Sequence, residues 1–283
     1  MEQRGFQIAS AEGLPIRGVL DLPAEPRGLV VIVHGFKGFK DWGFFPWVSA
    51  RFGACGVASI RFDMSRNGIG ERPGEFDRLD LFAGDTYLRE IDDLRRVLNW
   101  AADVGELGSL PLFLMGHSRG AGVAILAARW FGDGAVRGIV TWSGIARADR
   151  WSDATKKEWR RRGVLEVPNQ RTGQIMRLST AVLDELEERR ADLDILAATA
   201  ALECPLLIVH GRADETVPAS EAEDLAAATN NASLVLLENA THTFGATHPC
   251  AGGPRELSVA MHATLGFVNA YCRARWMAAR MRQ

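Results

Sequence analysis

Short β-rich apolar runs alternate with helix-period segments along almost the whole chain, and this alternation restricts the possible folds more than any single motif. The runs GLVVIVHG (28–35), GVASIRFD (56–63), LPLFLMG (110–116), VRGIVTW (136–142), PLLIVHG (205–211) and ASLVLLE (232–238) read as strands buried within a sheet. Between them, DTYLREIDDLRRVLNWAA (85–102) places Leu88, Ile91, Leu94 and Leu98 on one helical stripe, and residues 119–131, 219–228 and 256–281 keep the same period. The segments FQIAS and LPIRGVLDLP read as an opening antiparallel hairpin. Strand–helix alternation of this kind implies a mainly parallel, eight-stranded sheet covered by helices on both faces. The predicted class is therefore α/β, a single domain over residues 1–283.

One interval breaks the rhythm. Residues 144–202 separate the sixth and seventh strands by far more than an ordinary crossover. The interval holds WSDATKKEWRRRG, a possible small hairpin in GVLEVPNQRTGQIMRLS, and a charged helical stretch, TAVLDELEERRADLDILAA. Because ligands in open α/β sheets bind beyond the carboxyl ends of the strands, this insertion is expected to act as a lid or cap.

Composition excludes several functions. Of 283 residues, 47% are hydrophobic, enough for a large core, and the net charge of −2 gives no footprint for nucleic acid or an anionic membrane. No stretch approaches the roughly 20 apolar residues of a membrane span, and MEQRGFQIASAEG lacks the apolar centre of a signal peptide. Cys55, Cys204, Cys250 and Cys272 are scattered, without metal-ligand spacing. The expectation is a cytoplasmic protein with no metal and no organic cofactor.

The chemistry concentrates at Gly116-His117-Ser118-Arg119-Gly120, where an apolar strand runs into a small-residue helix. A turn this tight forces its central residue into a strained conformation, and flanking glycines remove the side chains that would collide. Ser118 would then project its hydroxyl above the sheet edge. A serine hydroxyl needs a base within hydrogen-bond reach, and the base needs an orienting group. Of six histidines, His242 and His248 both lie in the loop after the last strand, with His242 nearer the strand end. His34 and His210 end strands, His262 is mid-helix, and His117 sits beside the serine, where it lines the pocket or packs. His242 is favoured as the base. Asp214, directly after the strand PLLIVHG, is favoured as its carboxylate over the adjacent Glu215. Backbone N–H groups of Arg119, at the start of the helix, and Phe36, in HGFKGFKDWG, are the expected oxyanion donors.

The order serine, acid, histidine and the Gly-x-Ser-x-Gly elbow resemble the α/β-hydrolase fold. His34-Gly35-Phe36-Lys37-Gly38 resembles that family's His-Gly oxyanion loop, and RFDMSRNGIGERPGEF resembles the segment after its next strand. The nearest group in resemblance is the dienelactone-hydrolase-like and feruloyl or cinnamoyl esterase-like subset, which also carries an insertion between the sixth and seventh strands. Dienelactone hydrolases proper use a cysteine nucleophile, whereas this chain has Ser118. The resemblance implies ester hydrolysis by serine, with a small-molecule ester as substrate, and no nucleic acid or membrane partner is expected.

Further expectations concern specificity. Trp151 and Trp159 in the insertion are candidates for touching an acyl or aromatic substrate. Trp42, Phe44, Phe45 and Trp47 read first as a helix packed on the sheet and second as a pocket wall. The basic run Lys156, Lys157, Arg160, Arg161 and Arg162 reads as a solvated face. A carboxylesterase leads among the functions. A peptidase or acyl-aminoacyl hydrolase on the same scaffold is the alternative, and a non-catalytic binding protein is the third.

Overall fold

The computed structural model describes residues 1–130, 134–250 and 252–280. Its main sheet has eight strands: β1 (Glu2–Ala9), β2 (Pro15–Leu22), β3 (Leu29–Val33), β4 (Ala58–Asp63), β5 (Leu112–His117), β6 (Gly138–Trp142), β9 (Leu206–Gly211) and β10 (Ala232–Leu237). They lie in the order β1-β2-β4-β3-β5-β6-β9-β10. The β1–β2 and β2–β4 pairs are antiparallel, and every later pair is parallel.

Burial explains the sequence pattern. β1 is an edge strand that alternates between exposed and half-buried residues, and its Phe6 stacks on Trp100 at 3.9 Å. The interior strands β3 and β6 are buried at every position, because helices cover both faces. Helices α3 (Tyr87–Asp103), α4 (Arg119–Ala128) and α8 (Ala219–Ala227) bring apolar residues to one core. Helices α1 (Phe45–Ala54) and α9 (Arg255–Arg280) close the other. The stripe expected on α3 packs inward, with Ile91, Leu94 and Leu98 buried. Phe131 and Met281, the last residues of two expected helices, lie outside the described residues.

Between β6 and β9 the chain forms α5 (Asp153–Arg162), the antiparallel hairpin β7 (Val164–Pro168) and β8 (Ile175–Ser179), then α6 (Ala181–Glu188) and α7 (Ile195–Ala200). The hairpin docks on the loop region that holds the short helix α2 (Leu79–Phe82). The Ser179 N–H donates to Ala83 O at 2.8 Å, and Gln174 Nε2 donates to Phe76 O at 2.9 Å. Ser152 caps α5 by accepting from the Thr155 N–H, and Gly163 ends it in the left-handed region that favours glycine. Among the described residues, no helix is long and apolar enough to cross a membrane.

Candidate active site

Ser118 joins the end of β5 to the start of α4 with φ 56° and ψ −123°, a backbone that side chains rarely adopt. The turn is closed by its N–H, which donates to Trp142 O at 2.9 Å, and by its carbonyl, which accepts from the Ala121 N–H at 3.0 Å. The glycines are required by contact. A Cβ on Gly116 would lie 2.3 Å from Gly120 O and 2.4 Å from the Ala121 Cα, and one on Gly120 would lie 2.3 Å from the carbonyl oxygens of Val33 and His34. All of these are backbone atoms that cannot swing aside. Gly116→Ala is therefore expected to destabilise the protein by about 3 kcal/mol, read as a lower urea midpoint at unchanged slope.

The loop after β3 approaches the elbow from the side. A Cβ on Gly35 would lie 2.9 Å from both His117 O and the Ser118 Cβ, so only glycine lets the two backbones meet. Gly38 N–H donates to Gly35 O at 2.9 Å and turns the loop back. The N–H groups of Phe36 and Arg119 make no hydrogen bond among the described residues. The Arg119 side chain runs the other way, into the core, where Nε donates to Glu90 Oε2 at 2.8 Å and the guanidinium covers the Tyr87 ring at 4.0 Å.

Asp214 follows β9 in a turn that it organises itself. Its Oδ1 accepts from the N–H groups of Thr216 and Val217 at 2.8 and 2.9 Å, and its Oδ2 accepts from His242 Nδ1 at 2.8 Å. Burial works to raise the pKa of this carboxyl, but hydrogen bonding from His210 and His242 prevails and holds it far below the usual carboxylate range. An ionised carboxylate only accepts, so His242 directs an Nδ1–H at it, and in the neutral imidazole Nε2 is then the acceptor. His210 Nε2 donates to Val217 O at 2.9 Å and lies 3.4 Å from Asp214 Oδ2, steadying the turn from beneath.

His242 is held by its neighbours. Two residues on, Phe244 adopts φ 55° and is buried against Trp142 at 5.2 Å. His117 Nε2 donates to the backbone carbonyl of His242 at 2.9 Å. Burial pushes the His117 pKa down to about 3, so the imidazole is neutral and its single proton is committed to that bond. The sequence places His117 next to the serine, but nothing local in it reveals a tether to a loop 125 residues away.

Ser118 and His242 face one cavity of about 180 Å³, lined also by Gly35, Phe36, Lys37, Gly38, Trp42, Phe45, His117, Asn169, Gln170, Arg171 and Thr243. No hydrogen bond joins Ser118 to the His242 ring in this structure, whereas the His242–Asp214 bond is formed. Catalytic contacts are commonly long before substrate binds. Trp42 and Phe45 belong to the cavity wall as well as to the helix packing.

One sequence expectation is corrected here. Trp151 and Trp159 do not line this cavity. Trp159 is 1% exposed, donates from Nε1 to Leu178 O at 3.0 Å and packs edge-on to Trp151, so the pair fastens α5 to the hairpin and to the core. His248 serves a structural purpose, accepting from the Gly43 N–H at 2.9 Å. Glu215 is exposed. In the basic run, Lys156, Arg160 and Arg161 are paired with Asp149, Glu187 and Glu158. A larger cavity of about 400 Å³ lies between the loop after β6 and α6–α7, with Arg147, Asp149, Arg190 and Asp194 on its walls and no serine, threonine, cysteine or histidine among the described lining residues. Among the described residues, no group of three or more His, Cys, Asp or Glu could hold a metal ion.

Comparison with known proteins places this geometry in context. A putative phosphoribosyl transferase of Mycobacterium tuberculosis, known from two strains, is 33% identical over 120 residues, which is 41% of this chain and 24% of that protein. The match thus spans about a quarter of the relative's length. Est1E from Butyrivibrio proteoclasticus superposes with a TM-score of 0.68 at 21% identity, covering 94% of this chain and 98% of that one. That protein has also been solved with ferulic acid bound. A dienelactone hydrolase from Anabaena variabilis gives a TM-score of 0.63 at 18% identity, covering 95% and 97%. At these identities the two structures speak for the fold. The sequence profile described as "Alpha/beta hydrolase family" matches residues 30–252, from the first parallel strand into the loop that carries His242, and the chain therefore belongs to the α/β-hydrolase family.

Proposed function

We propose that this protein is a serine hydrolase that cleaves carboxylic esters of small or aromatic acyl groups through an acyl-enzyme. The observation that carries this reading is the Asp214–His242 hydrogen bond of 2.8 Å, beside a cavity onto which the strained Ser118 also opens. Ser118 Oγ attacks the ester carbonyl carbon as His242 Nε2 takes its proton, and Asp214 steadies the imidazolium that forms. The N–H groups of Phe36 and Arg119 receive the oxyanion, each donor contributing on the order of 10²–10³ in rate. The C–O bond to the alcohol breaks as His242 returns the proton to the departing oxygen. Water then adds to the acyl-enzyme, again giving its proton to His242. The carboxylic acid leaves as the Ser118 hydroxyl is restored. In this reading the 144–202 insertion acts as a lid, its hairpin turn supplying Asn169, Gln170 and Arg171 to the cavity rim.

A fluorophosphonate probe tests the assignment. Peptide mass spectrometry is expected to find one stoichiometric adduct, on Ser118, absent from Ser118→Ala. No adduct, or an adduct on another serine, refutes the mechanism.

A further inference from the structure

The cavity beside Ser118 has a one-signed rim. Lys37 and Arg171 line it, and among the described residues no aspartate or glutamate does. Lys37 sits immediately after Phe36 on the loop following β3, at φ 58°, a left-handed backbone uncommon for a side-chain-bearing residue and informative where it borders a site. Arg171 comes from the opposite wall, at the tip of the β7–β8 hairpin, where its N–H donates to Asn169 Oδ1 at 3.2 Å.

The two residues clasp each other's backbone surroundings. Arg171 Nη2 donates to Lys37 O at 2.5 Å, and Lys37 Nζ donates to Pro168 O at 3.1 Å. The Arg171 guanidinium also lies over Trp42 at 5.2 Å and Phe39 at 5.9 Å. These contacts fix both cations in place without neutralising either. Neither is paired with a carboxylate among the described residues, in contrast to the nearby Lys156, Arg160 and Arg161. Lys37 keeps spare donors on its ammonium, and Arg171 keeps Nε and Nη1. Burial, and then the charge of Arg171, lowers the Lys37 pKa, the sign expected for two cations held near each other without a counter-ion. A negatively charged group entering the cavity would relieve that repulsion and accept the spare N–H donors.

From this we infer that the ester substrate is an anion: a carboxylic ester that also bears a carboxylate, bound between Lys37 and Arg171. The inference rests on the serine-hydrolase reading for the reaction and on the cavity alone for the charge.

Paired substrates test it. Mono-4-nitrophenyl adipate is compared with its neutral methyl ester, which has the same acyl length and leaving group. 4-Acetoxybenzoate is compared with methyl 4-acetoxybenzoate, which moves the charge to the alcohol side. In the wild type, kcat/KM is expected to favour the charged member of at least one pair about tenfold. Arg171→Gln and Lys37→Gln should each shrink that preference several-fold, raised salt should shrink it too, and Arg171→Lys should keep most of it. The pair that responds identifies whether the charge sits on the acyl or the alcohol side. Equal treatment of charged and neutral esters in both pairs overturns the inference, as does a preference that survives Arg171→Gln and Lys37→Gln combined.

If the wild type turns over none of the four esters, the hydrolase reading fails, and calorimetric titration decides the charge separately. Monomethyl adipate should then bind saturably, dimethyl adipate should not, and Arg171→Gln should weaken the binding about tenfold. Equal binding of the two adipates, or none, overturns the anion site.

Discussion

Replacing Ser118 with alanine is expected to lower kcat/KM on 4-nitrophenyl esters by about 10⁴-fold or more, with thermal stability close to that of the wild type. Among the described residues the hydroxyl makes no hydrogen bond, so its loss leaves none of them unsatisfied. The alanine Cβ occupies the position of the serine Cβ, which Gly35 already accommodates because it has no Cβ of its own. Activity and stability should therefore separate cleanly in this variant. Ser118→Gly should separate them further. At φ 56° the serine holds backbone strain that glycine does not, and relieving it is expected to raise stability by about 1 kcal/mol, seen as an upward shift in the calorimetric midpoint while ester turnover stays lost. Wild-type turnover by Ser118→Ala would end the nucleophile assignment. A midpoint for Ser118→Gly below that of Ser118→Ala would end the strain argument.

The candidate site was legible where chemistry follows directly on a buried strand. Ser118 comes after β5, Asp214 after β9 and His242 after β10, and a parallel sheet delivers those strand ends to one edge. The glycines of the elbow could be read for the same reason, since their constraint lies within a few residues of sequence. What stayed hidden depends on partners far apart in the chain. Glu90 and Asp93 look like the polar side of an amphipathic helix, yet both are buried. Glu90 is turned inward by Arg119, 29 positions away, and Asp93 accepts from the Ser65 N–H at 2.7 Å. Burial raises the Asp93 pKa to about 7. The Trp159 expectation failed in the opposite sense: a large aromatic side chain in an insertion suggests a ligand contact, but an insertion must also bury apolar surface to stay docked, and Trp159 is buried in the core that continues from the main sheet. Lys37 and Arg171 are 134 positions apart, and their shared rim becomes visible only once the hairpin is docked.

Asp214→Asn is expected to cost about 10⁴ in kcat while preserving the fold, and the geometry explains why an isosteric change should be so damaging. Asn Oδ1 can still accept from the Thr216 and Val217 N–H groups, so the turn after β9 survives. The other end of the side chain becomes an amide N–H₂ facing His242 Nδ1, where a carboxylate oxygen stood at 2.8 Å. A donor there forces the proton of His242 from Nδ1 to Nε2, and an imidazole protonated on Nε2 has no lone pair to receive the Ser118 proton. Steady-state kinetics should show the fall in kcat with KM little changed, because the side chain lies outside the cavity that would receive substrate. Stability supplies an independent reading through pH. The native Asp214 pKa is depressed relative to an unfolded aspartate, so the carboxylate's contribution is fully present above the unfolded value and is lost as pH falls through the native one. The wild type should therefore lose its advantage over Asp214→Asn, measured by urea unfolding, as the buffer is taken from neutral pH to below the ordinary carboxylate range. A gap that is unchanged across that range, or an Asn variant with near-normal kcat, would remove Asp214 from the role of orienting His242.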